Sequence, residues 1–518
     1  MCLIFVILIV YIGFTNWNVI QENMDLSKGN KIIDGECGVS SSSPIATKVG
    51  MEILENGGNA VDAAIAVSYV LGVVEPWGSG IGGGGGMLIY DYSNDKFDFF
   101  NYRDSAPISS SKKLSNIGVP GFVKGMEEIH KYYGTIDIKE LIEPAINYAK
   151  NGFKIDYVLE EQLKRYEKYY ISDDFYDDNG KILKYGDTFI QNDLAETLRE
   201  IKQNGSNAFY EGSIADKIVS NSTLTKEDLK NYKVDRLEPV KGMYLGYEIV
   251  SAPAPFSGVT LIQMLKIFEK IGISNPDYDI ESYIEDLKFI SNITAADRVN
   301  NITDPNFYNV NNNYLVSDEY IDILLKKGRV AYKEDKEHES TTHFVVLDKD
   351  GMIVSATNTL GGFWGSKESV AGIYLNETLN NFSSTSGNIN SYEPGKIPRN
   401  FTAPTIIKKG DDYIMGIGSP GGSKIIKILA PVLLNILQFG TDIKTAVDKP
   451  RVVFIDEINL AVEDRKSIDF VKVKNNNYII SEKKNRFYFG SVQAIGISSE
   501  EGMFSVIDDR RNGFKKYE

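Results

Sequence analysis

Apolar positions change period along the chain, and the changes mark its elements. Ser43-Pro44 followed by Ile45, Val49, Ile53 and Gly57 predicts a capped amphipathic helix, and Ala60 to Val74 predicts a second, more buried one. Gly82 to Gly86 reads as a tight, closely packed turn before a strand from Met87 to Tyr92. From about residue 120 to 340, sets such as Met126, Ile129, Tyr132 and Leu261, Met264, Leu265, Ile267, Phe268 keep helical spacing, broken by an Asn-rich polar stretch at 300–313. Beyond 341 strand patterns dominate, and no internal repeat or low-complexity linker separates the parts.

One hairpin carries candidate chemistry. The run Glu339-Ser340-Thr341-Thr342-His343-Phe344-Val345-Val346-Leu347, the turn Asp348-Lys349-Asp350-Gly351 and a strand from Met352 to Thr357 predict two antiparallel strands. A turn centred between Lys349 and Asp350 places Thr341 opposite Asn358, with Thr357 and Thr359 beside it. Cleavage before Thr341 would join a hydroxyl nucleophile to a free α-amine of pKa about 7.7 to 8.0, a base suited to neutral pH. Thr-rich strand pairs are also common as plain structure, so the hairpin alone does not decide.

A second segment points the same way. Gly416-Ile417-Gly418-Ser419-Pro420-Gly421-Gly422-Ser423-Lys424 precedes the apolar run Ile425, Ile426, Ile428, Leu429, Val432, Leu433, Leu434, a loop entering a helix. Adjacent glycines there leave N–H groups unshielded where the helix dipole favours negative charge, which suits an oxyanion hole. Phosphate binding is the rival use, but no Gly-Lys-Ser/Thr pattern accompanies the glycines.

These blocks, with Val354-Ser355-Ala356-Thr357-Asn358-Thr359-Leu360, resemble the γ-glutamyltransferases, N-terminal-nucleophile hydrolases that mature by autocleavage. The likeness extends through Asn56-Gly57-Gly58-Asn59-Ala60-Val61-Asp62-Ala63-Ala64, Ser79-Gly80-Ile81-Gly82-Gly83-Gly84-Gly85-Gly86-Met87, Tyr102-Arg103-Asp104-Ser105-Ala106-Pro107 and Gly118-Val119-Pro120-Gly121. Asn390-Ser391-Tyr392-Glu393-Pro394-Gly395-Lys396 and Arg510-Arg511-Asn512-Gly513 are similar to the branch that acts on poly-γ-glutamate capsule.

The resemblance implies an α+β, four-layer αββα sandwich, which the helix-then-strand order permits. It further implies cleavage between Ser340 and Thr341 into a heterodimer, with 26–340 as the large subunit and 341–518 as the small one. Thr341 would be the nucleophile, Thr359 its hydrogen-bonding neighbour, and Gly421 and Gly422 the oxyanion donors. Arg103 would hold a substrate α-carboxylate, as a planar guanidinium suits. Gly421-Gly422-Ser423-Lys424 and Arg511 would contact polymer, with Lys424 standing where an arginine is expected. Such chemistry needs no cofactor and no metal.

Departures from ordinary members bear on the substrate. Asn381 stands at an acidic position that grips a free α-ammonium, Asn400-Phe401 replaces a paired serine element, and Gly361 replaces an asparagine. An internal residue of a γ-linked glutamate chain has its nitrogen tied up as a neutral amide. A desolvated carboxylate there would be an unpaired charge, costing several kcal/mol, whereas Asn can exchange hydrogen bonds. The expected activity is therefore cleavage within poly-γ-glutamate, with acyl transfer to water or to an amine such as a peptidoglycan acceptor. Alternatives stay open: a glutathione-type γ-glutamyltransferase, an acylase of the same fold, and a non-enzymatic surface protein.

Composition refines this. The chain has 518 residues, 42% hydrophobic, enough for one large core. A formal charge of -15 argues against nucleic acid and opposes a polyanion, so a local basic groove is expected from Lys396, Arg399, Lys424, Lys427, Arg510, Arg511, Lys515 and Lys516. Cys2 and Cys37 make no disulfide framework, and His130, His338 and His343 give a zinc cluster or Ser-His-Asp triad little support. His343 reads as structural. The apolar run Cys2 to Phe14 suits a signal-peptide core or an anchor within residues 1–25, which predicts export and a cell-surface location.

Overall fold

The structure is a computed structural model that describes residues 36–169, 172–330, 340–385, 387–464 and 478–511. The apolar segment Cys2 to Phe14, His338, Asn512, Gly513, Lys515 and Lys516 lie outside the described residues.

Two six-stranded sheets form the centre. The first runs in the order Gly38–Ser41, Ser340–Leu347, Ile353–Gly361, Gly84–Asp91, Lys96–Tyr102, Asp235–Leu237, with every neighbouring pair antiparallel. The second runs Gly502–Ile507, Gln493–Ser498, Tyr413–Gly418, Thr405–Lys409, Tyr247–Ser251, Val240–Tyr244, again antiparallel throughout.

Side-chain alternation explains how the layers stack. Along one strand, Val345 and Leu347 meet Ile406, Ile414 and Ile495 of the other sheet, while Phe344 and Val346 enter a separate core. That second core is completed by the helices Pro44–Glu55, Ala60–Val74, Phe122–Tyr133 and Ile138–Asn151. On the far side, Gly258–Ile271, Ile280–Asn301 and Ile425–Leu437 cover the second sheet. Strands buried on both faces read as continuous apolar runs, and four layers, αββα, result. Helix Ala60–Val74 has the predicted bounds, opened by Asn59 in a capping box with Asp62.

Three sequence expectations change. The hairpin register is one residue off: Thr342 faces Asn358 and His343 faces Thr357, with a bulge between Asn358 and Gly361. Its turn is wider than assumed, since Asp348 N–H donates to the Met352 carbonyl and Leu347 pairs with Ile353. The glycines Gly84 to Gly86 belong to a strand instead of a turn; a Cβ on Gly84 would lie 2.3 Å from the Tyr102 carbonyl and one on Gly85 2.4 Å from the Thr357 carbonyl. Within the stretch expected to be helical, Val240–Tyr244 and Tyr247–Ser251 form a hairpin of the second sheet. Its two-residue loop, Leu245-Gly246, has φ values of 50° and 82°, which match the twist of the flanking strands.

Candidate active site

The strand end at Thr341 is crowded with hydroxyl groups. Thr341 Oγ1 donates to the Ser340 carbonyl at 2.5 Å, Thr359 Oγ1 donates to the same oxygen at 2.6 Å, and the two hydroxyl oxygens are 3.4 Å apart. The bulge lets Gly361 N–H donate to Thr359 Oγ1 at 2.9 Å, which fixes that hydroxyl. Ser340 Oγ donates to the Trp77 and Gly78 carbonyls at 2.8 and 3.1 Å. Thr357 does not join this group; it bonds His343 Nδ1 at 2.8 Å.

His343 is structural, as expected. Burial pushes its imidazole down to about 3, so the ring stays neutral, and Gly418 packs on it so closely that a Cβ would lie 2.2 Å from the ring. That contact also brings the glycine loop to the hairpin. Beyond Gly418 the chain passes Gly421 and Gly422, with φ values of 142° and 58°, and a 3₁₀ turn Gly422–Lys424 into helix Ile425–Leu437. Only glycine takes both conformations without strain. Ser419 Oγ accepts from Ser491 N–H at 3.1 Å, anchoring the loop; Ser423, the expected polymer contact, and Lys424 lie in the 3₁₀ turn, the lysine ammonium 4.4 Å from the Tyr488 ring centre.

A carboxyl that sequence reading missed lies behind the Ser340–Leu347 strand. Glu75, the residue after helix Ala60–Val74, accepts from Ser42 Oγ at 2.6 Å and from Thr342 Oγ1 at 3.1 Å. Burial raises its pKa to about 7, against the lowering effect of those hydroxyls and of Arg511. The available signal was an acid placed directly after a helix whose apolar face runs all round. Arg511 donates to the Thr341 carbonyl at 3.2 Å and to the Phe487 carbonyl at 3.0 Å, its guanidinium near Trp77 and Phe487.

The candidate substrate residues form one connected block. Arg103 is fully buried; its Nη1 bonds Asp104 at 2.9 Å, while Nε and Nη2 have no hydrogen-bond partner among the described residues. Burial raises Asp104 to about 6 despite Arg103, and Thr378 Oγ1 also donates to it at 2.7 Å. Thr378 starts the 3₁₀ turn that ends at Asn381, whose carbonyl accepts from Asn390 at 2.7 Å; Asn390 in turn accepts from Arg399 N–H at 2.9 Å. Asn400 Nδ2 is buried without a hydrogen-bond partner among the described residues, and the Arg298 guanidinium stacks 3.4 Å over Phe401. Strand pairing joins this block to the Thr341 hydroxyl cluster: Thr359 lies opposite Gly84, and Gly85 opposite Tyr102, the residue before Arg103.

The contiguous basic groove expected from sequence is not what forms. Lys396 bonds the Ile389 carbonyl and Glu393, Arg399 bonds the carbonyls of Arg298, Val299 and Ile302, Lys427 bonds the Phe454 carbonyl, and Arg510 pairs with Glu463 and Asp508. These cations turn inward because burial obliges them to find acceptors. Lys424 and Arg511 alone of the described candidates sit by the glycine loop or Thr341.

Facing sheets beneath helices, with a threonine at a central strand end, define the N-terminal-nucleophile hydrolase fold. The chain belongs to the gamma-glutamyltranspeptidase family, whose model matches residues 46–517. It is similar to the capsule biosynthesis protein CapD proenzyme of Bacillus anthracis, 44% identical over 500 residues that cover 95% of this chain and 92% of that one. It is also similar to the glutathione hydrolase proenzyme of Bacillus subtilis (strain 168), 34% identical, with 92% and 90% covered. Among solved structures, cephalosporin acylase from Bacillus halodurans superposes with a TM-score of 0.81 at 26% identity, covering 92% of this chain and 95% of its own. The protein is accordingly an enzyme of γ-glutamyl transfer or hydrolysis.

Proposed function

We propose that the chain cuts itself between Ser340 and Thr341 and then cleaves γ-glutamyl amide bonds within poly-γ-glutamate, at the cell surface. The observation that carries the first half is the Thr341 hydroxyl, 2.5 Å from the Ser340 carbonyl that Thr359 also hydrogen-bonds. Thr341 Oγ attacks that carbonyl carbon, the C–N bond breaks, and the nitrogen takes the proton, leaving an ester. Water then hydrolyses the ester to a Ser340 carboxylate and a Thr341 with free amine and hydroxyl.

In the mature enzyme the amine accepts the hydroxyl proton as Oγ attacks a γ-amide, with Gly421 and Gly422 N–H groups facing the oxyanion. The leaving amine departs protonated. Water or a second amine, such as a peptidoglycan peptide, then takes the acyl group. The two pieces remain together because strands from either side of the cut pair with one another in both sheets, for example Gly38–Ser41 beside Ser340–Leu347 and Tyr247–Ser251 beside Thr405–Lys409.

The polymer reading is supported by three features: Arg103 offers unpaired guanidinium N–H groups for an α-carboxylate, Asn381 offers no negative charge to an α-ammonium, and Phe401 lies stacked under Arg298. Similarity to a relative named for capsule biosynthesis agrees. The test is a denaturing gel with N-terminal sequencing, then incubation with poly-γ-glutamate and sizing of the products. A fragment beginning at Thr341 and a rapid fall in polymer length are expected. Slow release of single glutamates from otherwise intact polymer would instead favour the glutathione-hydrolase reading.

A further inference from the structure

Thr341 is the second residue of its strand, and what orients it must act through its neighbours. On one side Arg511 holds the Thr341 carbonyl at 3.2 Å. On the other, the Thr342 hydroxyl donates to Glu75 at 3.1 Å, and Glu75 is itself held by Ser42 at 2.6 Å. Thr342 and Glu75 are both buried, and a Cβ on Gly78 would lie 2.8 Å from Thr342 Oγ1, so the hydroxyl has little room to turn elsewhere.

We infer that Glu75 is a positioning residue for the reaction: through the Thr342 hydroxyl, and opposite Arg511, it fixes the 341–342 peptide and hence the direction of the Thr341 hydroxyl. This rests on the reading of Thr341 as nucleophile. A carboxyl in so dry a place is costly to keep for stability alone, since burial raises its pKa to about 7 with Asp156 adding to that rise and Arg511 opposing it. Ser42 comes from the chain just after the edge strand Gly38–Ser41, so the clamp also ties that edge to the site. Ser42 Oγ donates to one carboxyl oxygen of Glu75 and Thr342 Oγ1 to the other, so the two hydroxyls hold the group from both sides.

The test uses full-length protein carrying Thr342→Val, Thr342→Ser, Glu75→Gln or the Thr342→Val/Glu75→Gln pair, with the rate of chain cleavage and kcat and KM for a γ-glutamyl anilide as readouts. Thr342→Val and Glu75→Gln should each slow cleavage and lower kcat about tenfold, the size expected for losing a hydrogen bond to a charged group, with KM changed less than about twofold. Thr342→Ser should recover most of the rate, and the double variant should be no slower than the worse single one, because both remove the same link. Wild-type rates in Thr342→Val, a Thr342→Ser as slow as Thr342→Val, or multiplied losses in the double variant would each overturn the inference. If Glu75→Gln does not fold, the Val and Ser variants at 342 decide it. A wild-type chain that stays uncut sinks the nucleophile reading itself, whereas cleavage in wild type and Thr342→Val alike sinks only the role of Glu75.

Discussion

Arg511 and Thr341 are 170 positions apart, yet the arginine Nη1 donates to the threonine carbonyl at 3.2 Å. Its Nη2 bonds the Phe487 carbonyl at 3.0 Å, so one planar group ties two backbone segments. Lysine carries all its N–H donors on one nitrogen and does not reproduce the two separate donor nitrogens that reach the Thr341 and Phe487 carbonyls. Arg511→Lys should therefore lower kcat about tenfold while the chain still folds, checked by steady-state kinetics and a melting curve.

Thr341→Ala removes the hydroxyl that lies beside the Ser340 carbonyl. The variant should run as one uncut chain on a denaturing gel, and γ-glutamyl transfer should fall by at least about a thousandfold. A variant cut at the same bond would show that another group performs the cleavage.

Asn381→Asp is the substrate test. The side chain is buried, and Glu377 and Asp104 lie on or against the same turn, so an added carboxylate should lower the melting temperature by several degrees. It should also raise the preference for small donors with a free α-ammonium over polymer by about tenfold, measured as the ratio of kcat/KM values. An unchanged ratio would remove the argument drawn from this position.

Glu75 makes stability depend on pH in a defined direction. Its pKa rises from 4.5 to about 7 on folding, so between those values the folded chain holds a proton that the unfolded chain has lost. Stability then falls as pH rises through this window, by about 3 kcal/mol in total, and changes little from this group above it. Glu75→Gln, neutral at every pH, should match wild type near pH 4.5 and melt higher at pH 8. Equal pH profiles for the two proteins would contradict the raised pKa. His343 acts oppositely: held neutral to about 3, it withdraws stability as pH falls below its ordinary value of 6.5.

Much of the candidate site was legible because its residues lie in short local patterns. Thr341, Thr359 and the adjacent glycines 421 and 422 announce themselves by strand alternation, a turn, and a glycine pair before an apolar helix, all patterns of a few residues. The register was misplaced by one because both faces of the Ser340–Leu347 strand are apolar, Phe344 and Val346 one way and Val345 and Leu347 the other. Hydrophobicity then cannot choose between adjacent pairings, and the turn hydrogen bond at Asp348 decides.

By itself, then, the order of residues marked most of the helices and the hairpin, the hydroxyl at a strand end and an uncharged asparagine at 381. Tertiary structure decided which charges face the chemistry. Lys396, Arg399, Lys427 and Arg510 looked like a groove and became internal ties, while Glu75, 267 positions from Thr342, became its partner. The reason is desolvation: a buried charge takes whichever acceptor or donor the packed layers bring within reach, and that neighbour exists only once the sheets have closed on each other.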